Sequence, residues 1–391
     1  MRNGMEAVFW VATALLFYVY CGYALLLQIL PRRRESPGTI GNPTVSVIIP
    51  AHNEEPCLRE TLSNLFEQLA SVELKVQIIV ASDGSSDRTA AVAREFETRG
   101  VVVLEFLDQR GKSSVLNDAV AMATGDVLCL CDANVLIQPD ALNSLIGRLA
   151  DPSVGAVSGD VRLDSERSNF GIGESLYYRL ERGIQSGESR VGSLMGVDGG
   201  MYVMRRKLFR PLPAGTILDD FAISMGIIRQ GYRIVYEPRA VAHEVGTPFA
   251  MPEFRRRIRV SAGSVQALRQ GSYPSWRQPV ELWQFASHKL LRWLDGIWLI
   301  ALLVSSAWLA TSHWIFATVL TAQVVAYGSG IVAALVLAFR GTRWGNVSFY
   351  FLMSHIAMLI GLVRGVLNRQ AVMWTPVVRG TVQGRVGGLE R

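Results

Sequence analysis

Val45-Ser46-Val47-Ile48-Ile49-Pro50-Ala51-His52-Asn53-Glu54-Glu55 and, further on, Ala81-Ser82-Asp83-Gly84-Ser85-Ser86-Asp87 decide how this chain is read. Each is an apolar, β-branched run that breaks into short polar side chains, the pattern of a buried strand opening into a loop. Working outward, Leu58, Leu62, Leu65 and Leu69 recur at helical spacing, and Val76–Val80 is a second strand. Ser85, Ser86 and Asp87 offer N-cap oxygens for a helix running to about Arg99. Val101–Glu105, a helix over Lys112–Ala123 and a strand over Asp126–Cys131 complete a βαβαβαβ alternation. Such alternation predicts an α/β domain with a mostly parallel sheet and helices on both faces. Ligands bind such sheets at the carboxyl ends of strands, and Asp83 and Asp132 stand just past two of them. Beyond Pro139 the pattern is mixed. It predicts a strand over Val154–Val161 and a helix over 171–190 with Leu176, Tyr177, Leu180 and Ile184 on one face. A short strand over Met201–Met204, a helix over Phe221–Ile228 and a last strand over Tyr232–Tyr236, followed by His243-Glu244, come next.

Of 391 residues, 50% are hydrophobic, and the excess is concentrated at 8–30 and 291–366. Phe9–Leu30 carries no charge and is long enough to span the ~30 Å hydrocarbon layer. Pro31-Arg32-Arg33-Arg34 follows in place of the small-residue site of a cleaved signal. By the positive-inside rule the N-terminus lies outside and the central domain in the cytoplasm, as in an integral inner or plasma membrane protein. Leu290–Ala310 and Ile315–Phe339 read as two further spans. Asn346–Val363 is shorter and carries Ser348, Ser354 and His355, and Arg364, Arg369, Arg379, Arg385 and Arg391 come after it. Those arginines favour a re-entrant or interfacial 346–366 and a cytoplasmic tail. The expected divisions are a membrane anchor at 1–31, a catalytic domain at 42–250, basic interfacial helices at 251–289, a membrane region at 290–366 and a basic tail at 367–391. The four cysteines form neither a disulfide framework nor a metal knuckle. The net charge of +6 is juxtamembrane, which suits anionic lipid and diphosphate and does not point to nucleic acid.

The two opening stretches resemble those of family 2 glycosyltransferases with the GT-A fold, in particular the membrane-bound cellulose, hyaluronan and poly-N-acetylglucosamine synthase-like group. Gly111-Lys112-Ser113-Ser114-Val115-Leu116-Asn117 is similar to that family's Gly-Lys-x-x-x-Leu-Asn stretch, Asp132-Ala133-Asn134 to its Asp-x-Asp, and Leu218-Asp219-Asp220 to its acidic base motif. The resemblance covers roughly 44–270. It implies a transferase that takes a sugar from a nucleotide diphosphate sugar to a saccharide or lipid-linked acceptor. It implies nucleotide contacts from Pro50, Glu54, Asp83, Lys112 and Asp132, and Mg²⁺ or Mn²⁺ held by Asp132 with Asn134. It also implies an acceptor side built from Asp198, Gly199, Gly200 and Asp219, and Asp220 as the general base. Plainer readings stand beside these. Asp83 suits an Asx-turn, Glu54 a helix first turn, Asn134 a turn, Lys112 a solvated helix start, and Asp219-Asp220 a pair of anionic helix caps. Asp198-Gly199-Gly200 suits a tight turn, and a lone His243 is more often structural than a metal ligand.

Phe254, Ile258, Val265 and Leu268 make an apolar face at helical spacing, with Arg255, Arg256, Arg257, Arg259 and Arg269 around it. This predicts a basic helix in the membrane interface. Its place is similar to the family's Gln-x-x-Arg-Trp element, with Arg256 for the Gln and Val260 for the Trp, so Arg256 and Arg259 are implied diphosphate ligands. The alternative is that the arginines serve lipid head groups alone. Trp374-Thr375-Pro376-Val377-Val378-Arg379 loosely resembles the loop that covers the nucleotide in hyaluronan-synthase-like members.

Overall fold

Apolar residues alternate along β1 (Val45–Ala51), and each set of side chains enters a different core. Val45, Val47 and Ile49 join Leu58, Leu62 and Leu65 on one side, and Ile48 joins Val115, Leu116 and Ala119 on the other. A strand buried on both faces in this way belongs at the centre of a helix-covered sheet. The computed structural model describes residues 1–36, 38–70, 73–163, 171–244 and 250–371.

Beside β1 lie β2 (Val76–Asp83), β3 (Val101–Phe106) and β4 (Val127–Cys131), all parallel. The sheet continues through β5 (Val135–Ile137), β6 (Val154–Leu163), β7 (Met201–Arg205) and β8 (Arg233–Glu244), in the order β3-β2-β1-β4-β7-β6-β8-β5. β7 is antiparallel to β4 and β6, and β5 is antiparallel to β8, so the other six strands share one direction. β5 is a three-residue strand that no run in the sequence announces. β8 is also longer than expected, so His243 and Glu244 close a strand and do not follow one.

The first helix, α1, covers Arg2–Ile29. The sheet is covered by α2 (Glu55–Leu69), α3 (Thr89–Arg94), α4 (Lys112–Met122), α5 (Ala141–Arg148), α6 (Gly171–Val191) and α7 (Asp219–Arg229). On α6 the expected apolar face is divided. Ile184 is buried with Tyr23 and Leu27 of α1, while Leu176 and Leu180 are exposed.

The basic helix α8 runs over Ala250–Arg269. After it come α9 (Pro279–Trp293), α10 (Asp295–Leu309), α11 (Trp314–Leu335) and α12 (Arg343–Val366). Among the described residues three helices, α1, α11 and α12, are long and apolar enough to cross a membrane, or up to four if α9 and α10 together form one span. The expected single span over Leu290–Ala310 is instead bent by 60° between α9 and α10. The segment 346–363 lies inside the unbroken 24-residue α12, without the break of a re-entrant loop. α12 packs along α8, where Gly361 meets Ile258 and Ser261 and Gly365 meets Ala262 and Val265. Trp374 and Arg379 lie outside the described residues.

Most of the α8 arginines are committed within the protein. Arg256 and Arg257 pair with Glu253, Arg257 also donates to Tyr350 Oη, and Arg269 donates to the last carbonyls of α12, at Gly365 (3.0 Å) and Val366 (2.9 Å). Arg269 thus serves as a cationic C-cap for α12. The apolar face of α8 is covered largely by protein, so lipid contact alone does not account for this helix.

Candidate active site

The loops at the carboxyl ends of β1, β2 and β4 converge. Asp83, fully buried at the end of β2, accepts from the main-chain N–H of Arg110 (2.6 Å) and Gly111 (2.9 Å). Its carboxylate therefore fixes the turn that launches α4, and Gly111 supplies that turn's positive φ of 89°. Glu54 precedes α2, where its main-chain N–H donates to Thr89 Oγ1 at 2.8 Å and its carboxylate accepts from Cys57 Sγ at 3.0 Å. Asn53, also at positive φ, caps the opposite loop by accepting from Ser86 N at 2.7 Å. Of the three expected cap residues, Asp87 performs the local task, accepting from Thr89 N at 2.9 Å. Pro50 is buried in β1, paired with Ala81.

Lys112, the first residue of α4, reaches across the sheet end. Its Nζ lies 3.0 Å from Asp132 Oδ1 and 3.4 Å from Asp219 Oδ2. Burial works against the charged lysine, but Asp132, Asp219 and Asp220 hold its pKa well above the ordinary value. Asp219 and Asp220 occupy the first turn of α7, where the helix dipole favours negative charge. The cap reading and the site reading of this pair are therefore compatible. Asp219 Oδ2 is buried and has no hydrogen-bond donor, so the Lys112 ammonium is its compensating charge.

Asp220 stands against the Asp198-Gly199-Gly200 turn. A Cβ placed on Gly199 would lie 2.2 Å from Asp220 Oδ2. The missing side chain is what lets the carboxyl sit there. Burial, then the Asp219 charge, pushes the Asp220 carboxyl well above the usual carboxylate range, with Lys112 opposing. Asp198 accepts from Gly200 N at 3.2 Å and closes the turn. Burial raises its pKa to about 7, against that hydrogen bond, and Glu244 and Asp132 add to the rise. The segment that leads into the turn is held from outside the sheet. Glu188, completely buried on α6, accepts from Met195 N (3.1 Å), Tyr23 Oη of α1 (2.6 Å) and the His288 ring of α9 (2.9 Å). Gln284 of α9 accepts from Ser193 N at 3.0 Å.

Asn134 is buried, and its amide donates to Glu244 Oε1 at 3.0 Å. This partner was not legible in the sequence, because it depends on the β5–β8 pairing. Among the described residues no three His, Cys, Asp or Glu groups are placed to hold a metal. Asp132 and Glu244 both act on Asp198, and with Asn134 these side chains offer oxygens, the chemistry of a hard cation that completes its shell with substrate phosphates. His243 is paired in the β5–β8 register with Leu136.

Burial lowers the Arg259 guanidinium, with Asp219 the largest opposing influence and Asp220 and Asp132 adding to it, so this arginine lies close to the carboxylate cluster. Arg256 is nearer the rim and is held by Glu253 at 2.7 Å.

Residues 46–212 match the family profile of glycosyl transferase family 2. The chain carries a family 2 glycosyltransferase domain. It is 26% identical over 230 residues to poly-beta-1,6-N-acetyl-D-glucosamine synthase of Staphylococcus aureus, covering 57% of this chain and 55% of that protein. It is 28% identical over 248 residues to the probable glycosyltransferase YdaM of Bacillus subtilis, covering 60% of this chain and 58% of that one. The chain thus spans a little over half the length of these curated relatives. The backbone is similar to that of the mannosyltransferase PcManGT from Pyrobaculum calidifontis, solved with GDP-Man and Mn²⁺. The TM-score is 0.73 and the identity 22%, over 94% of this chain and all of that one. The fold is therefore of the GT-A class, joined to helices able to span a membrane.

Two tests follow from this geometry. Gly199→Ala must displace the Asp220 carboxyl, and a shift of that order costs about 10²-fold in kcat. Nucleotide affinity is expected to be unchanged in an equilibrium binding assay. Arg259→Ala is expected to raise the donor KM roughly tenfold, the cost of one charge-assisted bond, and Arg256→Ala to do less because Glu253 already holds that side chain. Loss of liposome binding without any kinetic change would return the arginines to lipid contact.

Proposed function

We propose that the protein is a membrane-anchored inverting glycosyltransferase. It transfers a hexose or N-acetylhexosamine from a UDP-linked donor to a lipid-linked or growing saccharide at the cytoplasmic membrane face. The observation that carries this reading is the half-buried Asp220 carboxyl, seated on Gly199 and one residue from the buried Asp219, which shares the Lys112 ammonium with Asp132.

In this reading Asp220 takes the proton from the acceptor hydroxyl as that oxygen attacks the anomeric carbon from the face opposite the diphosphate. The bond to the diphosphate breaks, and the configuration inverts. Lys112 and Arg259, with Arg256 at the rim, bind the diphosphate and its growing negative charge. Asp83 contributes by fixing the Arg110–Gly111 turn that aims Lys112, with the nucleoside resting between this turn and Glu54. Asp198 keeps Gly199-Gly200 in place for the acceptor. Asp132, with Asn134, would hold Mg²⁺ or Mn²⁺, which when bound neutralises charge on the leaving diphosphate. A cytoplasmic catalytic domain follows from Arg32-Arg33-Arg34 after α1.

A second reading, processive synthesis with extrusion, is favoured by the name of the Staphylococcus aureus relative, a polymer synthase. The absence of a Trp at Val260 weighs against it. The test of transfer is a donor panel: purified full chain with Mn²⁺, UDP-N-acetylglucosamine and other nucleotide sugars, and released nucleotide measured against Asp220→Asn. Turnover of one donor that needs Asp220 supports the reading. Equal release by both proteins, or none with any donor, overturns it. Product length by mass spectrometry separates single addition from a polymer.

A further inference from the structure

Lys112 occupies a peculiar place for a residue whose expected partner is phosphate. Its ammonium is 3.0 Å from the carboxylate oxygen of Asp132, the acid expected to hold the metal, and 3.4 Å from Asp219 Oδ2. Asp219 Oδ2 is buried without a hydrogen-bond donor, so moving Lys112 away removes its only ion pair among the described residues and leaves the more distant Arg259 as counter-charge. The nearby Asn134 does not offer a second charge to a cation, and its amide is spent on Glu244 at 3.0 Å. The start of α4 is fixed from below by Asp83 through Arg110 N and Gly111 N, so the lysine is delivered to this point by a rigid turn. A divalent ion seeking Asp132 therefore meets a resident cation, and two positive charges sharing one carboxylate repel each other strongly at this depth. A nucleoside diphosphate changes the balance, because its oxygens can hold the ammonium and the metal together.

We infer that Lys112 is a resident counter-cation that keeps divalent metal off Asp132 until a nucleoside diphosphate arrives, so that metal and nucleotide enter together. This rests on the reading of Asp132 as the metal-binding acid. It makes Lys112 a positioning and ordering residue in addition to a phosphate ligand. Asp219, next to the base, is the acid that must find a new partner when Lys112 turns toward the donor.

The experiment is a Mn²⁺ titration of the detergent-purified full chain followed by electron paramagnetic resonance of the free ion, with no nucleotide and then with UDP or GDP. Wild type is expected to bind Mn²⁺ weakly alone and at least about tenfold more tightly with nucleotide, a range typical of changes around a metal's ligands. Lys112→Met is expected to tighten nucleotide-free Mn²⁺ binding about tenfold while weakening the nucleotide complex. Lys112→Arg, which keeps the cation, is expected to stay close to wild type without nucleotide, and thermal melting of both variants checks the fold. Nucleotide-free affinity that is unchanged or weaker in folded Lys112→Met overturns the inference. If Lys112→Met does not fold, Lys112→Gln takes its place with the same expected direction. Asp132→Ala separates the two layers. Should it leave Mn²⁺ binding intact with nucleotide, the assignment of Asp132 fails, and this inference fails with it. Should it abolish binding while Lys112→Met changes nothing, only the counter-cation role is lost.

Discussion

Asp220→Asn leaves nucleotide binding intact and lowers transfer roughly 10²–10⁴-fold, the loss expected when a general base is removed. The amide keeps the volume and the contact with Gly199 but cannot accept the proton. Because burial and Asp219 push the Asp220 carboxyl upward, wild-type transfer is expected to rise with pH along a limb above the ordinary carboxylate range. The same shift has a consequence for stability. A carboxyl whose folded pKa is raised favours the fold fully below its unfolded pKa, and that contribution is lost as pH rises toward the folded value. An asparagine there has no charge to lose, so the variant is expected to melt higher than wild type near neutral pH. Transfer close to the wild-type rate, or an unchanged pH limb, would refute Asp220 as the base. A stopped assay of released nucleotide together with a melting series across pH reads both.

Asp132→Ala is expected to remove transfer by about 10²–10³-fold or more, because electrostatic support of the leaving diphosphate goes with it. Binding of the nucleoside diphosphate weakens in Mn²⁺ and hardly changes in EDTA. The second half of that prediction depends on Lys112. Without Asp132 the ammonium retains Asp219 at 3.4 Å and becomes freer for phosphate, which offsets the lost acid when no metal is present. Asn134→Ala is milder, since its amide serves Glu244 and contributes no charge. Titration calorimetry in the two buffers decides this, and a wild-type-like Asp132→Ala would remove Asp132 from the metal site.

The first half of the sheet was legible because β1 to β4 are apolar runs joined by helices of regular period, which local physics is sufficient to read. The motif residues were legible through their resemblance to family 2 glycosyltransferase motifs, because each of these short polar groups also suits a turn or a helix cap, as Asp83 does at the Arg110–Gly111 turn. What was not legible depends on distant pairing. β5 has three residues and exists because β8 runs on to Glu244, so the Asn134–Glu244 bond has no local signature. The Lys112 bridge joins acids from two separate loops. The arginines of α8 were read as diphosphate ligands or lipid-facing groups, and their protein partners, Glu253, Tyr350 and the end of α12, were missed because they come together only in the tertiary structure. Likewise the bend between α9 and α10 lies in an apolar run that hydropathy reads as one span.

The contacts of Glu188 set an order for the making of this protein. One partner, Tyr23, leaves the ribosome long before it, and another, His288, long after. Until residue 288 has emerged, the nascent sheet carries a glutamate inside its core that only a tyrosine and the Met195 amide can satisfy. The 193–195 segment before the Asp198-Gly199-Gly200 turn is thus completed late, after α1 and only once α9 has emerged. Domains commonly fold as units during synthesis. Here the unit that must close is wider than the globular domain, because it takes in Tyr23 of α1 and His288 of α9.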